Sequence, residues 1–258
     1  MKTMKKIITT AVLTVCFLLG SLVALQAQED AKEPIWESII LVPDNTKLKI
    51  LGENMRKHNM KYHKEGAFKT TVYNISTGPN TGKMVWMMGP LQYSDLDTRP
   101  AVGGHDEDWR DNIMPYVKRL EQGEYWKGIT KWSNTDMLSA GAVEYPILFI
   151  RYWEVDPDHG FGVDAHVDMA SKTIKAMPGV NPFGVYDNEF IQGKIGRHIA
   201  TVSFHKNWAH LAAEWPFKAT FDQVHGADKW EMFLENRNAT FTNWWDEVWV
   251  YDKALSGD

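Results

Sequence analysis

The chain has 258 residues, one cysteine, 12 tryptophans and a formal charge of −5 from 28 basic and 33 acidic side chains. The acidic balance argues against nucleic acid or an anionic membrane as partner, and a lone Cys16 allows neither an internal disulfide nor a thiolate metal cluster. Stability must therefore come from packing, for which the length suffices.

Residues 1–27 read as a secretory signal peptide. Lys2, Lys5 and Lys6 precede an apolar run from Ile7 to about Ala24, and Ala27 offers a small residue at the cut. The run is short for a span of about 20 residues, so export to the periplasm or beyond is expected without stable membrane insertion. Cleavage would remove Cys16 and lower the formal charge to −8.

Ile35 to Val42 is an apolar strand ended by Pro43-Asp44-Asn45, a helix-start signal. The helix that follows, about Thr46 to Tyr62, places Leu48, Leu51, Met55, His58 and Tyr62 on one face. Ala67 to Ile75 and Lys83 to Met88 read as strands joined by a turn over residues 77–82. A polar stretch then leads to a helix beginning at Trp109, whose stripe is Trp109, Ile113 and Leu120, and to a strand from Glu124.

Asn134 to Tyr145 reads as a linker, after which the plan repeats. Pro146 to Val155 is strand, and Gly162 to Met177 is a helix with Val163, His166, Val167, Ala170 and Ile174 on one face. A hairpin turns at Gln192-Gly193-Lys194 between Phe183 to Ile191 and Arg197 to His205. A second Trp helix (Trp230, Leu234, Phe241) precedes a last strand. Tyr93 to Leu96 matches Trp208 to Leu211, and Trp126 to Asn134 aligns with Trp245 to Lys253.

Each half thus reads β-α-β-β-α-β. The expected fold class is α+β, with two ferredoxin-like repeats over residues 28–138 and 146–256 packed sheet to sheet as one pseudo-dimeric barrel. Monomer and homodimer both remain open.

Tyr62-His63-Lys64-Glu65-Gly66, Thr77 to Lys83, Trp86-Met87-Met88-Gly89-Pro90 and Gly123-Glu124-Tyr125-Trp126 carry a resemblance to the dimeric α+β barrel superfamily in fused form. The first half also resembles exported proteins of unassigned activity from polysaccharide-degrading bacteria. The superfamily includes cofactor-independent monooxygenases, haem-binding enzymes, isomerases and dehydratases, so the resemblance implies a pocket between sheet and helices and leaves the reaction open.

Among residues able to carry chemistry, His58 on the apolar helix face is a candidate general base, with His63 as the alternative. Tyr62 or Tyr73 could supply the acid. The pair His58 and His63 does not read as a metal site, because five helical residues turn about 140° around the axis. Only a helix ending between them, which Gly66 permits, would change that. The expectation is no metal and no cofactor.

His105 sits in a polar turn with Asp106 and Asp108, acids that suit a helix start, and is a candidate at the pocket mouth. Arg151, in an apolar strand, could hold an anionic group or pair with an acid such as Glu154. Arg99 reads as a local ion pair with Asp95 or a substrate contact. Trp86, Trp153 and His166 are candidate lining residues, since tryptophan faces stack on sugar rings and other flat ligands.

These residues suggest a carbon–oxygen lyase of dehydratase type acting on a polar, uronic-acid-containing oligosaccharide. His58 or His63 would serve as base, Tyr62 or Tyr73 as acid and Arg151 as carboxylate clamp. The rival readings are a cofactor-independent monooxygenase, a haem enzyme with His166 or another helix histidine as axial ligand, and a non-catalytic carbohydrate-binding protein.

Overall fold

The structure, a computed structural model, describes residues 32–99, 103–138 and 141–257. The expected signal peptide, Cys16 included, lies outside the described residues, as does the start of the first expected repeat.

Eight strands are interspersed with helices along the described residues. The strands are β1 (Ile35–Pro43), β2 (Thr70–Thr77), β3 (Met84–Leu91), β4 (Val117–Gly128), β5 (Ile147–Val155), β6 (Phe183–Asn188), β7 (His198–His205) and β8 (Phe241–Tyr251). The helices that matter below are α1 (Leu48–Tyr62), α2 (His105–Asp108), α3 (Gly162–Ala176), α4 (Phe217–His225), α5 (Trp230–Thr240) and α6 (Lys253–Ser256). The strands form one closed barrel in the order β1-β3-β2-β8-β5-β7-β6-β4. Every neighbouring pair runs antiparallel.

Each half supplies four contiguous strands, β4-β1-β3-β2 and β8-β5-β7-β6. The two sets do not simply stack face to face. They are hydrogen-bonded edge to edge, through β2 with β8 around Tyr73 and Tyr251 and through β4 with β6 around Lys127 and Asp187.

Strand alternation then sorts side chains into an inner and an outer layer. Ile40, Tyr73, Val85, Trp126, Leu148, Ile150, Tyr152, Val202 and Trp249 form a cluster drawn from both halves, which fills the barrel. Residues of opposite parity face the helices. In the first half Val72, Trp86 and Met88 pack with Leu51 and Met55 of α1 and with Ile113. In the second half Val155, Val185 and Ile199 pack with Val163, Val167 and Ile174 of α3. Strands buried on both faces read as nearly continuous apolar runs, which is why β5 is so legible.

Two expectations fail. The stretch from His105 is one turn of α-helix, then a π turn over Trp109–Ile113 and a 3₁₀ turn over Met114–Tyr116, and β4 starts at Val117. Leu120 is therefore an exposed strand residue, 44% accessible, and not part of a helical stripe. Phe241 likewise opens β8. The gapless match of Trp126 to Asn134 with Trp245 to Lys253 also breaks, because β4 ends at Gly128 and Thr130–Trp132 is a 3₁₀ turn. The one-turn helices Tyr93–Leu96 and Trp208–Leu211 do both follow the third strand of their half. Among the described residues no helix is long and apolar enough to cross a membrane.

Met55 is fully buried under α1, whereas Met60 on the same helix is 55% exposed. Met55→Ala should lower the unfolding free energy in urea by about 2–5 kcal/mol, and Met60→Ala by about 0.5 kcal/mol or less. Equal effects would contradict this seating of α1.

Candidate functional site

The first half gathers three histidines from two chain segments. His58 lies in the last full turn of α1, on its buried face. The helix stops at Tyr62, and His63 takes the cap position at φ −132° and ψ 28°, its backbone N–H still donating to the carbonyl of Asn59. Gly103 and Gly104, at φ +76° and +80°, use the left-handed region open to glycine and deliver His105 as the first residue of α2. The three imidazoles are 1%, 0% and 6% exposed, and one ring nitrogen from each lies within 4.8 Å of the others.

Each imidazole is oriented by an oxygen at Nδ1. His58 Nδ1 lies 2.7 Å from Asp108 Oδ2, His63 Nδ1 2.9 Å from the Phe68 carbonyl and His105 Nδ1 2.7 Å from Asp106 Oδ1. Asn112 Nδ2 donates to the other Asp108 oxygen at 2.8 Å. On the opposite side of the rings, His63 Nε2 and His105 Nε2 are 3.0 Å apart, and His58 Nε2 is buried without a partner.

Burial holds the His58 imidazolium below the ordinary value, against the opposing pull of Asp108. Burial likewise lowers His63 to about 3, opposed by its bond to Phe68. Asp108 is raised by burial but brought net below the usual carboxylate value by hydrogen bonds from His58 and Asn112.

Tyr62, Trp86 and Trp109 wall the cluster. Their ring centres lie 5.0 Å from His58, 5.0 Å from His63 and 5.2 Å from His58 respectively. The Tyr62 hydroxyl donates to the Gly103 carbonyl at 2.9 Å. A cavity of about 330 Å³ adjoins, lined by Ile39, Trp86, Arg99, His105, Asp106 and Trp109.

The second half holds a larger cavity of about 470 Å³ between the outer face of β5 and β7 and helices α3, α4 and α5. Its walls are mostly aromatic and aliphatic, with His166, His205, Arg151 and Arg237 among them. The His166 ring lies parallel to Phe233, centres 4.3 Å apart. His166 and His205 each bury an Nδ1 without a partner. Burial lowers both to about 4; at His205 the His210 charge lowers it further while a hydrogen bond with the His210 backbone opposes the shift.

The predicted site residues thus divide among three places. His58, Tyr62, His63, His105, Trp86 and Arg99 come together. Arg99 pairs with Glu37 at 2.9 Å and not with Asp95, which accepts from the Gln92 backbone instead. Tyr73 lies elsewhere, inside the barrel beside Trp249 and Tyr251, where burial raises its pKa. It cannot serve as acid to His58.

Arg151, Trp153 and His166 line the second-half cavity. Arg151 is held bidentately by its cross-strand neighbour Asp246, at 2.7 and 2.8 Å, and not by Glu154. The Arg151 clamp required for elimination is therefore not assembled with the histidines and Tyr62.

The geometric objection to His58 and His63 sharing one ion also falls, because the helix ends between them. Asp106 and Asp108 were legible as helix-start acids but not as histidine partners. Phe233 and Arg237 had no sequence signal that separates them from ordinary helix residues.

No family model and no curated protein matches the sequence. Solved structures do resemble it in fold. A proposed monooxygenase from Lactobacillus acidophilus NCFM superposes with a TM-score of 0.55 at 10% identity, over 86% of this chain and 95% of that one. An anthrone oxidase-like protein gives 0.50 at 11% identity, over 86% and 92%. Chlorite dismutase from Candidatus Nitrospira defluvii in complex with imidazole gives 0.50 at 9%, over 87% and 94%.

The fold is therefore an eight-stranded α+β barrel that matches those of dimeric α+β barrel proteins. These neighbours are named for oxygenation, oxidation and dismutation. They overturn the lyase and dehydratase assignment, in agreement with the scattered Tyr73 and Arg151, and nothing in them supports a polysaccharide substrate.

Because His166 and His205 stay neutral down to about pH 4 when folded but protonate near 6.5 when unfolded, the unfolded state binds more protons between those values. Stability of the protein without added ligand should fall as pH drops from about 6.5 towards about 4, by about 1.4 kcal/mol per pH unit for each group. Urea midpoints across this range check it. His166→Phe should flatten the slope, and a wild-type midpoint that does not move would contradict the burial.

Proposed function

We propose that this protein is an exported oxidoreductase built from two ferredoxin-like repeats, which oxidises a small, flat, largely apolar substrate in the second-half cavity. The observation that carries the reading is the pairing of an aromatic-walled chamber of about 470 Å³ with two buried, neutral imidazoles that line it and bury an unpartnered Nδ1. The volume lies within the range of small-molecule sites.

The reaction class that suits such a chamber is oxygenation of an activated CH₂ group next to an aromatic ring. The methylene and O₂ give a carbonyl and water, which balances without an external reductant. His166 would take the proton. Its imidazolium is disfavoured in the empty cavity, and becomes favourable once a delocalised anion forms beside it. Trp153 and Phe233 would flank the flat substrate. The fold shared with a proposed monooxygenase and an anthrone oxidase-like protein supports this choice over elimination.

Haem is the second reading, favoured by the same unpartnered His166 Nδ1. The lining fits the group chemically: His166 is a neutral donor for iron, and Arg237 is a cation able to pair with a carboxylate. Haem would supply an iron centre for one-electron and oxygen chemistry.

Oxygen uptake with tricyclic phenols and anthrone checks the leading reading. Uptake by the colourless protein should fall by about 10²–10⁴ in kcat/KM in His166→Phe. Absence of uptake and of binding across the panel would overturn it. A Soret band on haem titration, lost in His166→Ala, would decide for the haem reading.

A further inference from the structure

We propose that His58, His63 and His105 bind one divalent first-row transition-metal ion, at a site in the first half that is separate from the oxidation chamber. Hydrogen-bond partners fix where the protons sit. The Phe68 carbonyl can only accept, so His63 carries its proton on Nδ1 and presents a bare lone pair at Nε2. Asp108, ionised and held by Asn112, does the same for His58. Asp106 does so for His105.

The consequence is a buried contact that a metal-free protein pays for. His63 Nε2 and His105 Nε2 stand 3.0 Å apart with lone pairs towards each other, and His58 Nε2 has no partner at all. A proton on His105 would relieve the first contact and leave His58 bare. A cation at the meeting point satisfies all three nitrogens.

Charge points the same way. Two carboxylates, Asp106 and Asp108, stand behind the imidazoles, and Arg99 on the cavity wall is already paired with Glu37. Imidazole nitrogens around a tetrahedral ion lie about 3.4 Å apart for metal–nitrogen bonds of about 2.05 Å. One ring nitrogen from each histidine lies within 4.8 Å of the others, near that spacing.

Three imidazoles suit zinc, iron, nickel or copper. Backing each ring by an oxygen is the outer-shell arrangement that orients metal-bound histidines. The cavity of about 330 Å³ that His105 lines adjoins the cluster and has room for water as a further ligand.

The test is spectroscopic titration of chelator-stripped protein with Co²⁺, competed by Zn²⁺. The expected result is one Co²⁺ per chain with visible d–d bands, displaced by one Zn²⁺. His63→Ala should abolish the bands, and Asp106→Asn or Asp108→Asn should weaken binding 10–100-fold while keeping the stoichiometry. If His63→Ala does not fold, His105→Ala carries the comparison. Failure of the wild type to bind Co²⁺, or unchanged binding in the folded histidine variant, would overturn the site. Oxygen uptake in the second cavity is read independently, so failure of either assignment leaves the other standing.

Discussion

Closure of the barrel is the constraint on which the rest of the molecule depends. A four-stranded antiparallel sheet covered by helices on one side leaves an apolar face and two open edges, both liabilities in water. Here the edges are consumed by β2 with β8 and by β4 with β6, and the apolar faces become a shared interior. The β2–β8 seam is reinforced from outside the ladder. Glu247 of β8, fully buried, accepts from Asn80 in the turn between β2 and β3 at 2.8 Å and from Trp249 at 2.7 Å. Gly78 in the same turn, at φ +92°, leaves only 2.4 Å between a notional Cβ and the Asp246 carbonyl, so no side chain fits.

Once the inside is filled by both halves in common, each half is left with its own outer layer between strands and helices, and there the halves diverge. The first packs that space with Trp86, Trp109 and three imidazoles. The second leaves it open and lines it with Phe233, Trp153 and neutral histidines. One architecture thus offers a tight polar cluster on one flank and a roomy apolar chamber on the other.

Much of this was legible in the residues. The 3.6-residue spacing of Leu51, Met55 and His58, the apolar run of β5 and the glycine-rich turn at 77–82 each announce their element. What periodicity cannot supply is parity and partner. Tyr73 belongs to a strand that is plain in the sequence, yet whether it faces inward follows from a register set by β8. Arg151 meets Asp246 across 95 residues, and His63 meets His105 across 42. The histidine cluster was hidden for a local reason as well. The 140° objection applies helical rotation to His63, whereas His63 sits at the cap beyond Tyr62, and its ring centre lies 5.2 Å from that of His58.

The short helix α6 has a consequence for the order in which the protein is completed. Asn59, next to His58, donates to the Leu255 carbonyl at 2.7 Å and accepts from the Trp86 indole at 3.1 Å, while Ser256 Oγ accepts from the Val72 backbone at 2.8 Å. The helix that carries His58 is therefore clamped by residues made almost two hundred positions later. While the ribosome is still extending the chain, the first half lacks this last wedge, and Asn59 lacks its acceptor at Leu255. The helix carrying His58 thus takes its final seat only once both halves of the chain are present.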